Sequence, residues 1–428
     1  MLFRSDEGDL GKPALEAYFA EIAFVYQEIE HALGSLAGWA KPRRVRTPLL
    51  LWPATSRVLS EPYGVALILG PWNYPFHLMV APLIAALSAG NTAILKPSEL
   101  APATSRVLAR MIADRFDSAY VAVVEGGIPE TQALLGLRFD TIFFTGGVKV
   151  GRIVLEAAAR HLTPVTLELG GKSPVIIHRD ADLEDAVKKT VWAKTINAGQ
   201  ICLSPDYVWV HEEVRERFLT LAGEQIRAFY GEAPLRSPDY ARIVNEHHFE
   251  RLLTLIRSGK VVCGGQSDPV TRAIAPTLLV DVALGDPVMQ EEIFGPILPV
   301  MAYGEFGDIR AAMSSMQKPL ALYLFTKDRI FAERVLAEIP CGGVVQNDTI
   351  LHVANPHLPF GGVGESGMGA YHGKTGFDTF SHRKAVLRRG RLFDIPYRYP
   401  PYSARGLAFL RRLFSGSPLF RLLRWILF

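Results

Sequence analysis

Cysteine is scarce in this sequence, and its scarcity bears on two kinds of chemistry. The three cysteines, Cys202, Cys263 and Cys341, cannot build a disulfide framework, which fits a reducing cytosol and a cytoplasmic protein. None stands with histidine at the spacing of a zinc site, so no metal is expected. An excess of one charge is lacking too. The formal net charge is +3, with the positive residues dispersed except near the C-terminus, and this gives no ground for a nucleic-acid partner. No uncharged apolar run reaches the roughly 18 residues of a membrane-spanning helix. The first residues, Met-Leu-Phe-Arg-Ser-Asp-Glu-Gly, lack the apolar core of a secretory signal. Internal repeats and low-complexity segments are absent.

What is present is apolar mass: 428 residues, 49% of them hydrophobic, enough for two or three domains. Residues 14–39 carry Leu15, Phe19, Ile22, Ala23, Tyr26, Ile29 and Leu33 at helical spacing and are expected to form a helix. A Pro- and Arg-containing connection follows, then a short strand at Leu49–Trp52. From Tyr63 the chain alternates. Strands are expected at 65–69, 92–95, 120–124 and 141–144, each followed by a helix. Continuous apolar strands separated by helices predict a parallel, doubly wound sheet over 63–167. A second α/β block runs from 168 to 350, with strands at 175–177, 207–210, 297–300 and 320–325 and helices at 182–197, 212–229, 245–258 and 328–338. The fold class is therefore α/β, with two doubly wound domains and a small bridging segment. A Gly-rich region through Gly376 and an Arg-rich, apolar end close the chain.

Some motifs mislead. Gly362-Val-Gly364-Glu-Ser-Gly367 spells a dinucleotide fingerprint but follows Pro359-Phe360 outside any βαβ unit, so it is rejected. Gly171-Lys-Ser173 and Gly373-Lys-Thr375 end like phosphate-binding loops. Thr166 and Met368 stand where such loops need glycine. A better anion seat is Phe144-Thr145-Gly146-Gly147-Val-Lys-Val-Gly151, where glycines join a strand to a helix N-terminus; an ordinary βα turn would read the same. Lys96 and Glu99 could hold ribose hydroxyls at a sheet edge or belong to a solvated loop. The amide of Asn73, rigid within Pro71-Trp-Asn73-Tyr74-Pro75, could donate to an oxyanion, although Asn and Pro are common in turns. Glu292 and Phe294 could bind a sugar hydroxyl and brace a ring, or be a strand-edge acid and a core aromatic. Cys202 lies in a polar, Gly-containing loop between helix and strand. Reactivity would require nearby N–H donors; a buried structural cysteine is the plainer reading, and the one given to Cys263 and Cys341. Glu168, ending an apolar run at Gly170-Gly171, is either a base or an ordinary paired carboxylate.

Taken together these stretches resemble the aldehyde dehydrogenase superfamily, in its chain order. They are Pro71-Trp-Asn-Tyr-Pro75, Lys96-Pro-Ser-Glu99, Phe144-Thr-Gly146, Leu167-Glu-Leu-Gly-Gly-Lys172, Gly199-Gln-Ile-Cys202 and Glu291-Glu-Ile-Phe-Gly-Pro296. Ser204-Pro-Asp-Tyr207, Pro359-Phe-Gly-Gly-Val-Gly364, Ser366-Gly-Met-Gly369, Tyr371-His-Gly-Lys374, Phe380-Ser-His-Arg383 and Arg398-Tyr-Pro-Pro401 are similar to its class 3 and fatty aldehyde branch. The resemblance implies NAD or NADP as cofactor and an aliphatic (medium- or long-chain) or aromatic aldehyde as substrate. It implies Cys202 as nucleophile, the Asn73 amide and the Cys202 N–H at the oxyanion, hydride transfer to leave a thioester, and Glu168 as the base for its hydrolysis. Tyr74 is expected in the substrate pocket. Lys96 and Glu99 are expected at the adenosine ribose, Thr145, Gly146, Gly147 and Gly151 near the pyrophosphate, Glu292 at the nicotinamide ribose and Phe294 against the ring.

The implied domains are cofactor-binding (1–40 and 63–167), catalytic (168–350), bridging or oligomerisation (41–62 and 351–402) and a basic amphipathic tail (403–428). A homodimer is implied by resemblance alone. Relatives usually carry several tens of residues of helix before the point matching Asp9-Leu-Gly-Lys12, and here eight residues precede it. The first helices of the cofactor domain are therefore expected to be missing. Gly147 and Ser204 also depart from the usual residues. In the tail, Arg421 and Arg424 share a face, with Leu419, Leu422, Leu423, Ile426 and Leu427 covering much of the rest. Such a segment could lie at a membrane surface with Trp425 at the boundary, or pack on a dimer partner or over the substrate mouth. Alternatives to aldehyde oxidation are a CoA-acylating relative and an inactive, shortened member that binds membranes.

Overall fold

The computed structural model describes residues 2–48, 51–391, 394 and 398–414. The apolar segment 419–428 lies outside the described residues, as do Leu49 and Leu50 of the expected strand. Leu51 and Trp52 are in no strand. By packing, the chain divides into a larger unit, Met1–Ser35 with Tyr63–Phe380, and a smaller one, Leu36–Pro62 with Ser381–Phe428.

The larger unit holds both expected sheets. One runs in the order Gly367–Met368, Val165–Glu168, Thr141–Thr145, Val65–Leu69, Thr92–Lys96, Val121–Val123. The last five are parallel and almost wholly apolar, because helices cover both faces. Register decides where chemistry can sit. Leu69 pairs with Lys96 and with Phe144, and Thr145 pairs with Glu168. The carboxyl ends are therefore level, and the turns after them open on one edge.

The other sheet has seven strands: Lys260–Cys263, Thr277–Val280, Ile297–Tyr303, Tyr207–His211, Pro174–Ile177, Ala321–Phe325 and Gly343–Gln346. Its first, second and last strands were not expected from the sequence, being short and set among Gly and polar residues. The Gly-rich stretch after 351, expected with the bridging segments, packs within the larger unit up to Phe380. Gly367–Met368 adds an antiparallel strand beside Val165–Glu168, with Gly367 opposite Glu168.

The N-terminal helical segment forms but buries the wrong face for its expected pattern. Ala14–Ala17 and Phe24–Trp39 are α-helix, joined by a π-helical turn at Tyr18–Ala23. Leu15 is 79% and Leu33 75% exposed, whereas Glu21 is 2% and Glu28 6% exposed. Glutamates face inward because partners await them. Glu28 meets His372 at 3.2 Å and accepts from the Gly373 N–H. The helix expected at 182–197 is Leu183–Thr195, started by Asp182, which accepts from the Asp185 N–H. It stops two residues early because Asn197 and Ala198 turn left-handed, both at φ +50°.

In the smaller unit, Ala54–Pro62 pairs antiparallel with Ser381–Arg389 and with Arg43–Val45. A helix spans Ala404–Phe414.

Asn91 ties several segments of the larger unit. Its amide donates to the carbonyls of Ala86 and Phe380 at 3.1 and 2.9 Å and accepts from the Gly64 N–H at 3.0 Å. All are buried or nearly so, so Asn91→Ala should lower stability by about 2–4 kcal/mol, read as a lower urea midpoint at unchanged slope.

Candidate active site

Asn73 sits in the turn after Val65–Leu69 and is buried. The turn leaves the strand at Gly70, where a Cβ would fall 1.9 Å from the Met79 sulfur. Its side-chain Nδ2 donates to the Gln200 carbonyl at 3.0 Å, and its own carbonyl accepts from Asn197 Nδ2 at 3.0 Å. Gln200 is two residues before Cys202, so the two loops are fastened together. Left-handed Asn197, Ala198 and Gly199 set the path into the cysteine. Tyr323 Oη fixes the far side, donating to the Leu203 carbonyl at 2.5 Å.

Cys202 lines two cavities. One, of about 420 Å³, is also lined by Asn73, Thr145, Gly146, Gly147, Glu168, Glu292 and Phe294. The other, of about 180 Å³, is apolar and is lined by Phe24, Tyr74, Leu78, Ile201, Ile350 and Tyr371 among others. Burial pushes the thiol above its ordinary range, and the Glu292 and Glu168 carboxylates push it further. The N–H groups of Cys202 and Leu203 oppose them. Glu168 is itself buried, with no hydrogen-bond partner on either carboxylate oxygen. Burial alone raises it well above the usual carboxylate range. The raised Cys202 thiol and the unpartnered Glu168 carboxyl favour their neutral forms.

Glu292 lies against Gly170, where a Cβ would meet its carboxylate at 1.9 Å. Burial and Asp206 raise its carboxyl to about 8, opposed by the Gly171 N–H, Lys172 and Arg251. The segment that carries it is pinned by Lys172. The Lys172 ammonium contacts Asp206 and donates to the carbonyls of Val288 and Glu291 at 2.9 and 3.0 Å. Asp206 in turn accepts from the Ile293 N–H at 2.9 Å. Phe294 is held left-handed at φ +49° with Trp72 edge-on at 5.3 Å.

The other predicted residues divide. Thr145 has a buried hydroxyl without a partner. Gly147 begins the helix Val148–Ala159 with no side-chain cap, and a Cβ there would meet open space. Gly151 is one turn further on and packs against Leu169 without lining the cavity. Lys96 and Glu99 pair at 3.7 Å on the next strand end, near Gly127 and outside the cavity lining. Tyr74 lines the apolar cavity.

The Aldehyde dehydrogenase family model matches residues 2–386. The chain belongs to that family. It is 48% identical over 399 residues to the 4,4'-diaponeurosporen-aldehyde dehydrogenase of Staphylococcus aureus, covering 93% of this chain and 87% of the relative. It is 47% identical to aldehyde dehydrogenase family 3 member A2 of Mus musculus, over 92% of this chain and 82% of that one. Among solved structures, the substrate-bound state of Staphylococcus aureus AldH superposes with a TM-score of 0.94 at 46% identity, covering 97% of this chain and 91% of that one. The NAD+ complex of a Mycobacterium tuberculosis aldehyde dehydrogenase gives 0.83 at 28%, covering 92% and 82%. This dehydrogenase is therefore an oxidoreductase that oxidises aldehydes to carboxylic acids with NAD or NADP.

The larger cavity of the dehydrogenase fits such a cofactor: an uncapped helix N-terminus, an orphaned hydroxyl at Thr145 and the Glu292 carboxyl converge there. Sequence reading missed Trp72, His248 and Arg251 on this side and Tyr371 on the other. Arg251 donates to the carbonyls of Glu292 and Ile293 from a helix whose sequence carries no motif. Only the fold brings it near.

In the ligand-free dehydrogenase, alkylation of Cys202 by iodoacetamide should keep accelerating from about pH 7 to about pH 10, past the ordinary thiol midpoint. A plateau near about pH 8, located to Cys202 by peptide mass, would contradict the buried, raised thiol.

Proposed function

We propose that Cys202 is the nucleophile of a thioester mechanism, with Glu168 as base and the Asn73 amide and Cys202 N–H as the oxyanion donors. The observation that carries this is that Cys202 lines both cavities, with Glu168 and Asn73 lining the larger one. Because burial leaves little thiolate at rest, the sulfur proton passes to solvent in the larger cavity as an aldehyde reaching the thiol from the apolar side forms its carbon–sulfur bond. The new oxyanion is stabilised by N–H groups that are already oriented. When bound, the oxidised nicotinamide supplies the hydride acceptor. Glu168, whose raised pKa makes its ionised form a stronger base than an ordinary carboxylate, is suited once ionised to take a proton from the water that opens the thioester, which favours hydrolysis over transfer to CoA.

On this reading Lys96 and Glu99 serve the adenosine ribose, Thr145, Gly146 and Gly147 the pyrophosphate, Glu292 the nicotinamide ribose and Phe294 the ring; Gly151 serves by close packing. Residues 1–40 and 63–167 then act as the cofactor domain and 168–350 as the catalytic one. The apolar lining around Tyr74 and Tyr371 supports medium- or long-chain aliphatic or aromatic aldehydes. So does a relative whose name refers to 4,4'-diaponeurosporen-aldehyde. A cytoplasmic setting fits three free cysteines, and a homodimer fits the class 3 resemblance. A peripheral membrane contact is supported by exposed Leu407, Phe409 and Leu410 on the helix that ends near Arg411 and Arg412. No helix among the described residues is long and apolar enough to cross a membrane.

Cys202→Ala should bind cofactor normally and form no NADH from aldehyde; retained turnover would end this reading. Glu168→Gln should keep its first-turnover burst and lose steady turnover by about 100-fold or more, and Asn73→Ala should lose about 100- to 1000-fold in rate. Removal of residues 403–428 should abolish cosedimentation with anionic vesicles and spare activity on a short, soluble aldehyde.

A further inference from the structure

The N-terminal segment carries a buried ionic cluster for which the oxidation chemistry has no use. Lys12, with 1% exposure, pairs with Glu21 at 2.6 Å and with Asp6 at 3.3 Å, and its ammonium stands 4.1 Å over the Tyr74 ring. Burying these charges is costly unless their geometry is put to use. Two carboxylates leave the cluster in different directions. Glu21 Oε2 accepts from the N–H groups of Phe76 and His77 at 2.8 and 3.1 Å. Those groups stand at the free start of the helix His77–Ser88, directly after the Asn73 turn. Glu16 Oε1 accepts from the Asn197 N–H at 2.8 Å, at the head of the left-handed run into Cys202.

Glu16 lies on the α-helical turn Ala14–Ala17, and Glu21 lies on the π-turn Tyr18–Ala23 that follows it. The run at Asn197–Ala198 needs such support, since a non-glycine residue held left-handed is strained. Gln200 supplies more: it donates to the Arg242 carbonyl at 2.9 Å, and the Arg242 N–H donates to the Leu10 carbonyl at 2.8 Å.

We propose that Glu16 and Glu21, carried on the consecutive helical turns Ala14–Ala17 and Tyr18–Ala23, are positioning residues that hold the Cys202 loop and the Asn73 loop to a common brace. This rests on the reading of Cys202 as nucleophile and Asn73 as oxyanion donor. Glu16 acts by reach and acceptance at the Asn197 N–H. Burial raises its carboxyl to about 7 against the pull of Lys12 and of that N–H, and either protonation state retains an accepting oxygen.

The test compares Glu16→Gln, which keeps the reach and loses the charge, with Glu16→Asp, which keeps the charge and loses one methylene of reach. First-turnover NADH burst, cofactor affinity and Cys202 alkylation are measured on the full chain. The Gln variant should hold its burst within about threefold of the parent, and the Asp variant should lose about tenfold or more, both at cofactor affinity within about threefold. Alkylation rates should depart from the parent in the same order. Equal bursts in all three proteins, or a Gln variant worse than Asp, would overturn the proposal. Alkylation needs no aldehyde turnover. A parent that gives no burst while alkylation keeps the expected order would refute the nucleophile reading and leave the brace standing.

Discussion

One buried amide ties together the two loops that carry Asn73 and Cys202. Asn197 Nδ2 donates both to the Asn73 carbonyl and to the Gln200 carbonyl. Through those bonds a loop after a strand of the six-stranded sheet is fastened to a loop before a strand of the seven-stranded one. The two sheets have separate cores, and hydrophobic burial alone sets no register between their loop ends. Hydrogen bonds are directional and do. The buried Asn73 carbonyl depends on this amide as well, so its loss would leave that carbonyl unsatisfied, whereas the Gln200 carbonyl would keep the Asn73 amide as donor.

Against that frame the titratable groups lining the larger cavity are left under-partnered. Glu168 has no bond on either oxygen, and the thiol, Glu168 and Glu292 are all pushed upward by burial. An acid whose folded-state pKa lies above its unfolded value destabilises the fold progressively as pH rises past the ordinary carboxyl range. The frame must outweigh that. Paired charges nearby show the contrast: Lys172 with Asp206, and Lys12 with Glu21, have their bonding capacity filled. Function sits where satisfaction is withheld.

Much of this was legible in the sequence. Apolar runs with helices between them announced the parallel sheets, and the Gly170-Gly171 turn after Glu168 is plain in the sequence, while the structure adds that a side chain at Gly170 would collide with Glu292. Cys202, Glu168, Asn73, Glu292 and Phe294 do line one cavity. Three kinds of feature were hidden. Short strands such as Gly343–Gln346 take their order from neighbours rather than from their own pattern. The helix at 14–39 was read by its apolar stripe, yet buries Glu21 and Glu28 because their partners, the Phe76 and His77 N–H groups, His372 and Gly373, are distant in the chain. Arg251 and Tyr371 reach the site only through tertiary structure. Periodicity reports which face is greasy, not which charges will find company.

The pairing of Gly367 with Glu168 has a further meaning in time. The strand that ends in Glu168 is the outermost of the parallel five until Gly367–Met368 closes its edge, and the Leu169 N–H finds its acceptor only in the Ser366 carbonyl. A ribosome delivers that cover long after the strand itself. The acid's surroundings are thus completed by one of the last pieces of the larger unit to emerge, and a nascent chain carries an open, apolar sheet edge until then.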